Sequence, residues 1–336
     1  MDSKTMHIVY ASDKNYGPIM GISVISLLEN NKSERICLHF LDGGIDGEDK
    51  RRIEELCGVY GMPRPHWMPS DDISRELRMK VNCDRGSLSQ FARIFVSRHI
   101  DESIDRILSL DCDTIVRKSL RELWDLNLKD KIAAVLKDAF SKHYRANIAL
   151  APDDIIFNAG VMLIDLKRWR ERDIEGRILD FIRLRRGFVE KCDQGALNSA
   201  LSRDCLCFSP EFNAVTIFFD FTYREMLSYR KPPDYYMEEE VIRAAEDPII
   251  VHYTASFLSK RPWMKNCMHP WAGEWLKYKE MSPWKDEPLS EEHLSLRVRI
   301  MRKLPRALML RLAGLLQAYG RPWLYAVRRR RLERSK

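Results

Sequence analysis

Two carboxylates one residue apart, Asp111 and Asp113, stand in the run Leu108-Ser-Leu-Asp111-Cys112-Asp113-Thr114-Ile115-Val116, where an apolar segment meets polar sequence. Acids so placed can aim hard oxygen ligands at a divalent cation that carries a nucleotide diphosphate, because such a cation takes carboxylates and shares phosphate oxygens. A capped or solvated turn is the plain alternative for the same residues. Further along, His252 in Ile250-Val-His252-Tyr offers an imidazole competent to bind manganese, and Lys260-Arg261 supplies cations that can neutralise a diphosphate. A lone histidine on an apolar strand is equally an ordinary packed residue.

Three more groups carry polar chemistry at segment ends. In Ala11-Ser12-Asp13-Lys14-Asn15-Tyr16, Asp13 can accept from a uracil imide or ribose hydroxyl, Asn15 can read a polar base edge, and Tyr16 can stack on a flat ring. An Asx turn before a helix at Gly17 is the competing reading. Asn158 with Ala159 and Gly160 joins a side-chain amide to small residues that permit close backbone approach, and Asp193-Gln194 puts a carboxylate and an amide at a helix start. Asp193 can also serve there as an N-cap. Neither a GxGxxG nor a Walker loop is present, which disfavours dinucleotide binding and P-loop phosphoryl transfer. The Asp-x-Asp pair also invites comparison with phosphatases of the haloacid dehalogenase type, whose first Asp is a nucleophile. That motif wants Thr or Val two residues past the second acid, whereas Thr114 is one past and Ile115 two past.

These groups need elements to position them. His7–Ala11, Ile36–Leu41, Ile107–Leu110, Ile132–Leu136, Gly160–Ile164, Leu206–Ser209 and Ile249–Tyr253 are short apolar or β-branched runs and are predicted as strands. Helices are predicted after Gly17, after a cap at Asp46, and over Leu88–His99, Leu166–Arg186 and Gln194–Leu201. Short strands alternating with amphipathic helices predict an α/β fold with an open, mostly parallel sheet, whose ligands bind beyond the carboxyl ends of the strands. At 336 residues with 45% hydrophobic and 31% charged, the chain can bury a large core. Eight cysteines without a CxxC pair, and no apolar leader after Met1, suggest a reducing cytosol.

The net charge of +7 conceals a division. From Arg297 to Lys336 there are 13 Lys or Arg against one acid, a net of +12, so the other 296 residues carry −5. Leu304–Leu316 is mostly apolar, broken by Arg306 and Arg311, and shorter than the ~20 residues that span a bilayer. Trp323, Tyr325 and Arg328 to Arg331 follow. The segment suits an interfacial helix on an anionic membrane surface, or else a helix docked on the body. The arginine run has no interleaved aromatics, so no nucleic-acid partner is expected. Composition thus divides the chain into residues 1–265 and an aromatic, basic segment over 266–336; Trp263, Trp271, Trp275, Tyr278 and Trp284 crowd around and after this boundary, and most of that cluster is expected to be core.

Taken together, five ordered blocks, Ile8–Asn31, Ser89–Val116, Phe157–Arg170, Asp193–Leu201 and His252–Trp263, resemble the retaining glycosyltransferases of family 8, bacterial enzymes among them that build lipopolysaccharide and other surface glycans. The resemblance implies a GT-A fold with a helical C-terminal extension, a UDP-galactose or UDP-glucose donor, and Mn2+ or Mg2+. Carried over residue by residue, it implies metal ligation by Asp111, Asp113 and His252. Donor contacts would come from Ala11, Asp13, Asn15, Tyr16, Arg93, Asp111, Cys112, Asp138, Asn158 and Asp193, with Gln194 and Asp193 at the reacting centre. Lys260 resembles the lysine that grips the diphosphate, but Arg261 is inserted before Pro262-Trp263, and Ala255 stands where many members have glycine. The expected activity is transfer of an α-hexose to a glycan or lipid-linked acceptor such as lipopolysaccharide core, from a cytoplasmic position peripheral on the membrane. A metal-dependent phosphatase and a non-catalytic membrane scaffold are the alternatives.

Overall fold

A computed structural model of the chain describes residues 5–83, 88–291 and 303–334. Its main sheet has seven strands: β1 (Thr5–Asp13), β2 (Arg35–Gly43), β3 (His66–Pro69), β4 (Arg106–Leu110), β5 (Ala133–Lys137), β6 (Phe157–Asp165) and β7 (Cys205–Cys207). They lie in the order β7-β5-β6-β4-β1-β2-β3. All neighbours are parallel except β6, which runs antiparallel to both β4 and β5. Both faces of this sheet are covered. Ile8, Tyr10, Leu38, Phe40, Leu108 and Leu110 pack on one side and Val9, Leu41, Ile107, Val135 and Met162 on the other. Burial on both faces explains why these strands read as continuous apolar runs rather than as alternating ones.

A smaller sheet decides the position of one functional residue. Ile250–His252 lies between Ala214–Val215 and Thr114–Val116, parallel to the first and antiparallel to the second. Its register sets His252 opposite Thr114, beside Asp113. The sequence predicted a strand at Ile249–Tyr253 without its partners, since pairing across more than a hundred residues leaves no local mark.

Helix Gly17–Glu29 follows β1, and Gly47–Val59 starts at Asp46, whose carboxylate accepts from Glu48 N at 2.8 Å as the capping pattern predicts. Two predicted helices differ in detail. Leu88–Phe95 is 3-10 helix and only Val96–His99 is α. Phe91, Ala92, Arg93, Ile94 and Phe95 are all buried, so packing on every side overrides the helical period. Leu166–Arg186 breaks into Leu166–Glu171 and Ile174–Leu184 because Asp173 takes a φ of 46° and its carboxylate accepts from Gly176 N at 3.1 Å, starting a new helix.

Beyond residue 265 the chain stays in the same core. Ala272–Glu280 packs on Gly17–Glu29, with Trp275, Tyr278 and Trp284 buried. Trp284 donates to Asp49 Oδ1 at 2.8 Å, and its ring occupies the space beside Gly21. A C-terminal arm follows: Arg306–Leu315, a π-helical turn over Leu316–Gly320, then Arg321–Arg334. Its inner face buries Met309, Leu310 and Ala313. Backbone carbonyls of Gln317, Ala318 and Pro322 accept from Tyr144 Oη (2.8 Å), Ser141 Oγ (2.7 Å) and Asn147 Nδ2 (2.9 Å). Its outer face leaves Leu308, Leu312, Leu315, Leu316, Trp323 and Leu324 between 45% and 64% exposed. No described helix is long and apolar enough to cross a membrane.

Candidate active site

A cavity of about 630 Å³ opens at the carboxyl ends of β1 and β4, the place where an open parallel sheet binds its ligands. Ala11, Asp13, Tyr16, Arg93, Asp111, Cys112, Asp113, Asp138, Asn158, Asp193, Gln194, His252 and Arg261 all stand on its wall, drawn from seven separate stretches of sequence.

At its centre, β4 ends at Leu110 and the chain turns through Asp111 and Asp113, the turn being closed by Thr114 Oγ1 donating to Asp111 O at 2.8 Å. The Nε2 atom of His252 lies 3.2 Å from Asp113 Oδ1 and 3.6 Å from Asp111 Oδ2. One ligand atom from each of the three lies within 4.8 Å of the others, and two carboxylates with one imidazole form a donor set suited to manganese or magnesium. Gly160 makes the approach possible, since a Cβ there would fall 2.1 Å from His252 Cε1 and 2.9 Å from Asp111 Oδ2. Burial opposes the charged forms, but the pair overcomes it: Asp113 lifts His252 above the ordinary histidine value, and His252 with Arg261 holds Asp113 below the usual carboxylate range.

The histidine is oriented from behind. Asn213, buried at the end of a 3-10 turn (Pro210–Asn213), donates through Nδ2 to Asn158 Oδ1 at 2.9 Å, which leaves its own Oδ1 to accept from His252 Nδ1, also at 2.9 Å. With Nδ1 engaged by Asn213, Nε2 is the ring nitrogen turned toward Asp111 and Asp113. The sequence reading singled out Asn158 but not Asn213, whose only local mark is an amide just before a short strand. Asn158 is itself held by accepting from Gly160 N at 3.0 Å.

Arg93 is buried between two acids. Its guanidinium bonds Asp111 Oδ1, donates to Ala159 O at 2.6 Å, and sets Nε 3.0 Å from Asp193 Oδ2. Burial nevertheless dominates Asp193 and, opposed by Arg93, leaves its carboxyl pushed up to about 6. Lys191 rather than Asp193 occupies the N-cap of Cys192–Leu201, so the capping alternative for Asp193 does not hold. Gln194 on the same helix donates to Asp138 Oδ2 at 3.1 Å.

Two expected donor contacts lie elsewhere. Asn15 is exposed, and its N–H closes an Asx turn on Asp13 Oδ1 at 2.9 Å. Lys260 donates to Lys265 O at 3.2 Å and stands off the cavity wall, whereas Arg261 reaches into it, donating to Tyr16 Oη at 2.8 Å with Nη2 3.4 Å from Asp113 Oδ2. The inserted residue therefore takes the inward position.

Comparison with known proteins agrees with this geometry. The chain is 29% identical over 283 residues to general stress protein A of Bacillus subtilis (strain 168), covering 83% of this chain and 94% of that protein. It is 23% identical over 288 residues to the lipopolysaccharide 1,2-glucosyltransferase of Escherichia coli (strain K12), covering 85% and 80%. Identity to the lipopolysaccharide 1,3-galactosyltransferase of Salmonella typhimurium (strain LT2) is 24% over 293 residues, covering 84% and 80%. Among solved structures, the galactosyltransferase LgtC in complex with donor and acceptor sugar analogues superposes with a TM-score of 0.69 at 22% identity, over 88% of this chain and 99% of that one, so the fold is GT-A. With the model of glycosyl transferase family 8 matching residues 7–267, from the first residues of β1 past His252, the chain belongs to glycosyltransferase family 8.

Proposed function

We propose that the protein is a retaining, metal-dependent hexosyltransferase that moves an α-linked galactose or glucose from a UDP-sugar to a glycan or lipid-linked acceptor such as lipopolysaccharide core, working on the cytoplasmic side at the membrane surface. The observation that carries this reading is the convergence of Asp111, Asp113, His252 and Arg261 on the cavity wall that also presents Asp138 and Gln194. Relatives that glucosylate or galactosylate lipopolysaccharide support the substrate class.

Asp111, Asp113 and His252 would hold a divalent cation, which would supply Lewis-acid charge for the departing diphosphate. The rest falls to the chain's own side chains. Asp13 and Tyr16 hold the uridine, and Arg261 meets the negative charge that grows on the leaving phosphate as the glycosidic bond opens. Asp138, fixed by Gln194, accepts from donor-sugar hydroxyls. Retention through a covalent intermediate needs a carboxylate nucleophile. Gln194 is an amide and Asp193 is engaged by Arg93, so neither is placed to attack. The acceptor therefore attacks from the face the diphosphate leaves, and the leaving phosphate takes the acceptor proton.

The test is UDP release from UDP-galactose and UDP-glucose in the presence of Mn2+. One donor should turn over, and Asp113→Asn should lower kcat/KM by at least about a hundredfold. The anomeric configuration of the product, read by NMR, should match that of the donor. Phosphate release from monoesters without UDP release, or a covalent sugar adduct on Asp193, would contradict the proposal.

A further inference from the structure

Where the C-terminal arm meets helix Tyr223–Arg230, the cavity wall carries two arginines without counter-charges among the described residues. Arg93 and Arg261, on the donor side, are each paired with aspartates. Arg230 and Arg321 also line the cavity, and among the described residues neither has a carboxylate partner. Arg321 Nη1 donates only to the neutral Gln317 Oε1, at 2.8 Å. Among the described residues two donors at this wall have no hydrogen-bond partner, Gln317 Nε2 and Arg230 Nε, and Gln317 is 97% buried. A buried amide N–H left unpaired costs free energy that an incoming acceptor atom recovers.

The surroundings define what fits. Phe140, Phe221 and Tyr229 also line the cavity, with the Arg230 guanidinium 5.1 Å from the centroids of both Phe140 and Tyr229, and Lys191 Nζ 4.5 Å above Phe140. Aromatic faces suit the C–H face of a sugar ring, while guanidinium forks and an amide N–H offer donors only. The acids on the cavity wall are Asp13, Asp111, Asp113, Asp138 and Asp193, all assigned to the donor side, and Asp138 is held by Gln194. Glu190 lies close by and bears on Tyr144, but it is not on this wall. Gln317, within the π-helical turn Leu316–Gly320, and Arg321, four residues on and so on the same face of the arm, both reach the cavity.

We infer that this wall is the acceptor subsite and that it selects a sugar bearing a phosphate or carboxylate, read by Arg230, Arg321 and Gln317. The inference rests on the transferase reading for its biological meaning, but binding tests it without turnover. Calorimetry on the full chain with Mn2+ and UDP compares octyl glucoside with octyl glucoside 6-phosphate, and the matching galactoside pair. The phosphorylated member of at least one pair should bind at least about tenfold more tightly, as expected for charge-assisted hydrogen bonds. The preference should fall to near unity in Arg230→Gln/Arg321→Gln and be partly kept in Arg321→Lys, with melting temperature checked in parallel. Equal binding of charged and neutral sugars, or no binding of either, overturns the inference. So does Arg230- and Arg321-dependent binding to phosphatidylglycerol vesicles without discrimination between sugars, which would assign these cations to lipid. Loss of UDP release with the anion preference intact would strike the transferase reading alone.

Discussion

At the scale of single residues, the chemistry rests on how one imidazole is aimed. His252 is buried at 3% exposure, and which nitrogen faces the acids is set by Asn213, itself turned by Asn158. Removing that acceptor frees the ring to rotate or change tautomer while leaving all three ligand side chains in place. Asn213→Ala should therefore weaken Mn2+ binding by about 10- to 100-fold, whereas Asn213→Asp, which still accepts from Nδ1, should retain much of the affinity. Titration followed by Mn2+ electron paramagnetic resonance separates the two, and equal affinity of Ala and wild type would remove Asn213 from the site. The candidate ligand types could be read from the sequence because Asp111 and Asp113 sit together after a strand and His252 stands on one, and the structure brings the three side chains together. Their orienting partner was not, because it lies 39 residues from the histidine it holds and shows only as an isolated amide. That Arg261 rather than Lys260 lines the cavity was equally hidden, since adjacent cations differ only in where the backbone points them.

At the scale of elements, the site depends on strands and helices whose existence the apolar runs disclosed and whose pairings they did not. The β1 and β2 strands, the Gly17–Glu29 helix and the Asp46 cap were readable from local pattern, because each is decided by near neighbours. The edge strand β3 and the two partners of the His252 strand, Ala214–Val215 and Thr114–Val116, were not, because two- to four-residue strands owe their form to a partner rather than to period. The aromatic segment shows how distant elements are joined. Gly21 lets the Trp284 ring lie against the Gly17–Glu29 helix, and a Cβ there would fall 2.1 Å from Trp284 Cη2. Although alanine is the better helix former, Gly21→Ala should destabilise the fold by about 1–3 kcal/mol through overpacking, because neither the helix nor the indole can yield freely. Urea unfolding measures it directly. An unchanged or raised midpoint would show that the Trp284 contact does not constrain this helix.

At the scale of the whole molecule, the split between a body of −5 and a tail of +12 acquires a geometry. Much of the tail's charge has work on the body. Arg306 pairs with Glu225 at 2.7 Å, Arg329 donates to Ala146 O at 2.8 Å, Arg321 stands at the cavity, and Arg328 lies over Phe188 at 4.1 Å. The arm is thus a docked amphipathic element, and its outer stripe of Leu308, Leu312, Leu315, Leu316, Trp323 and Leu324 is what it leaves toward solvent. Full burial of such side chains is worth about 1.5–3 kcal/mol each, against ~1 kcal/mol for a cation near an anionic surface. Membrane attachment should therefore depend more on the stripe than on the arginine run. Leu308→Ser/Leu312→Ser/Trp323→Ser should reduce partition onto phosphatidylglycerol vesicles more than Arg330→Gln/Arg331→Gln does, with little change in melting temperature because the stripe lies outside the core. Sedimentation with vesicles at low and physiological salt decides it, and the reverse ranking would mean that charge alone holds the protein to the surface. Truncating the arm cannot substitute for these point changes, since it would take Gln317 and Arg321 out of the cavity together with the exposed apolar stripe.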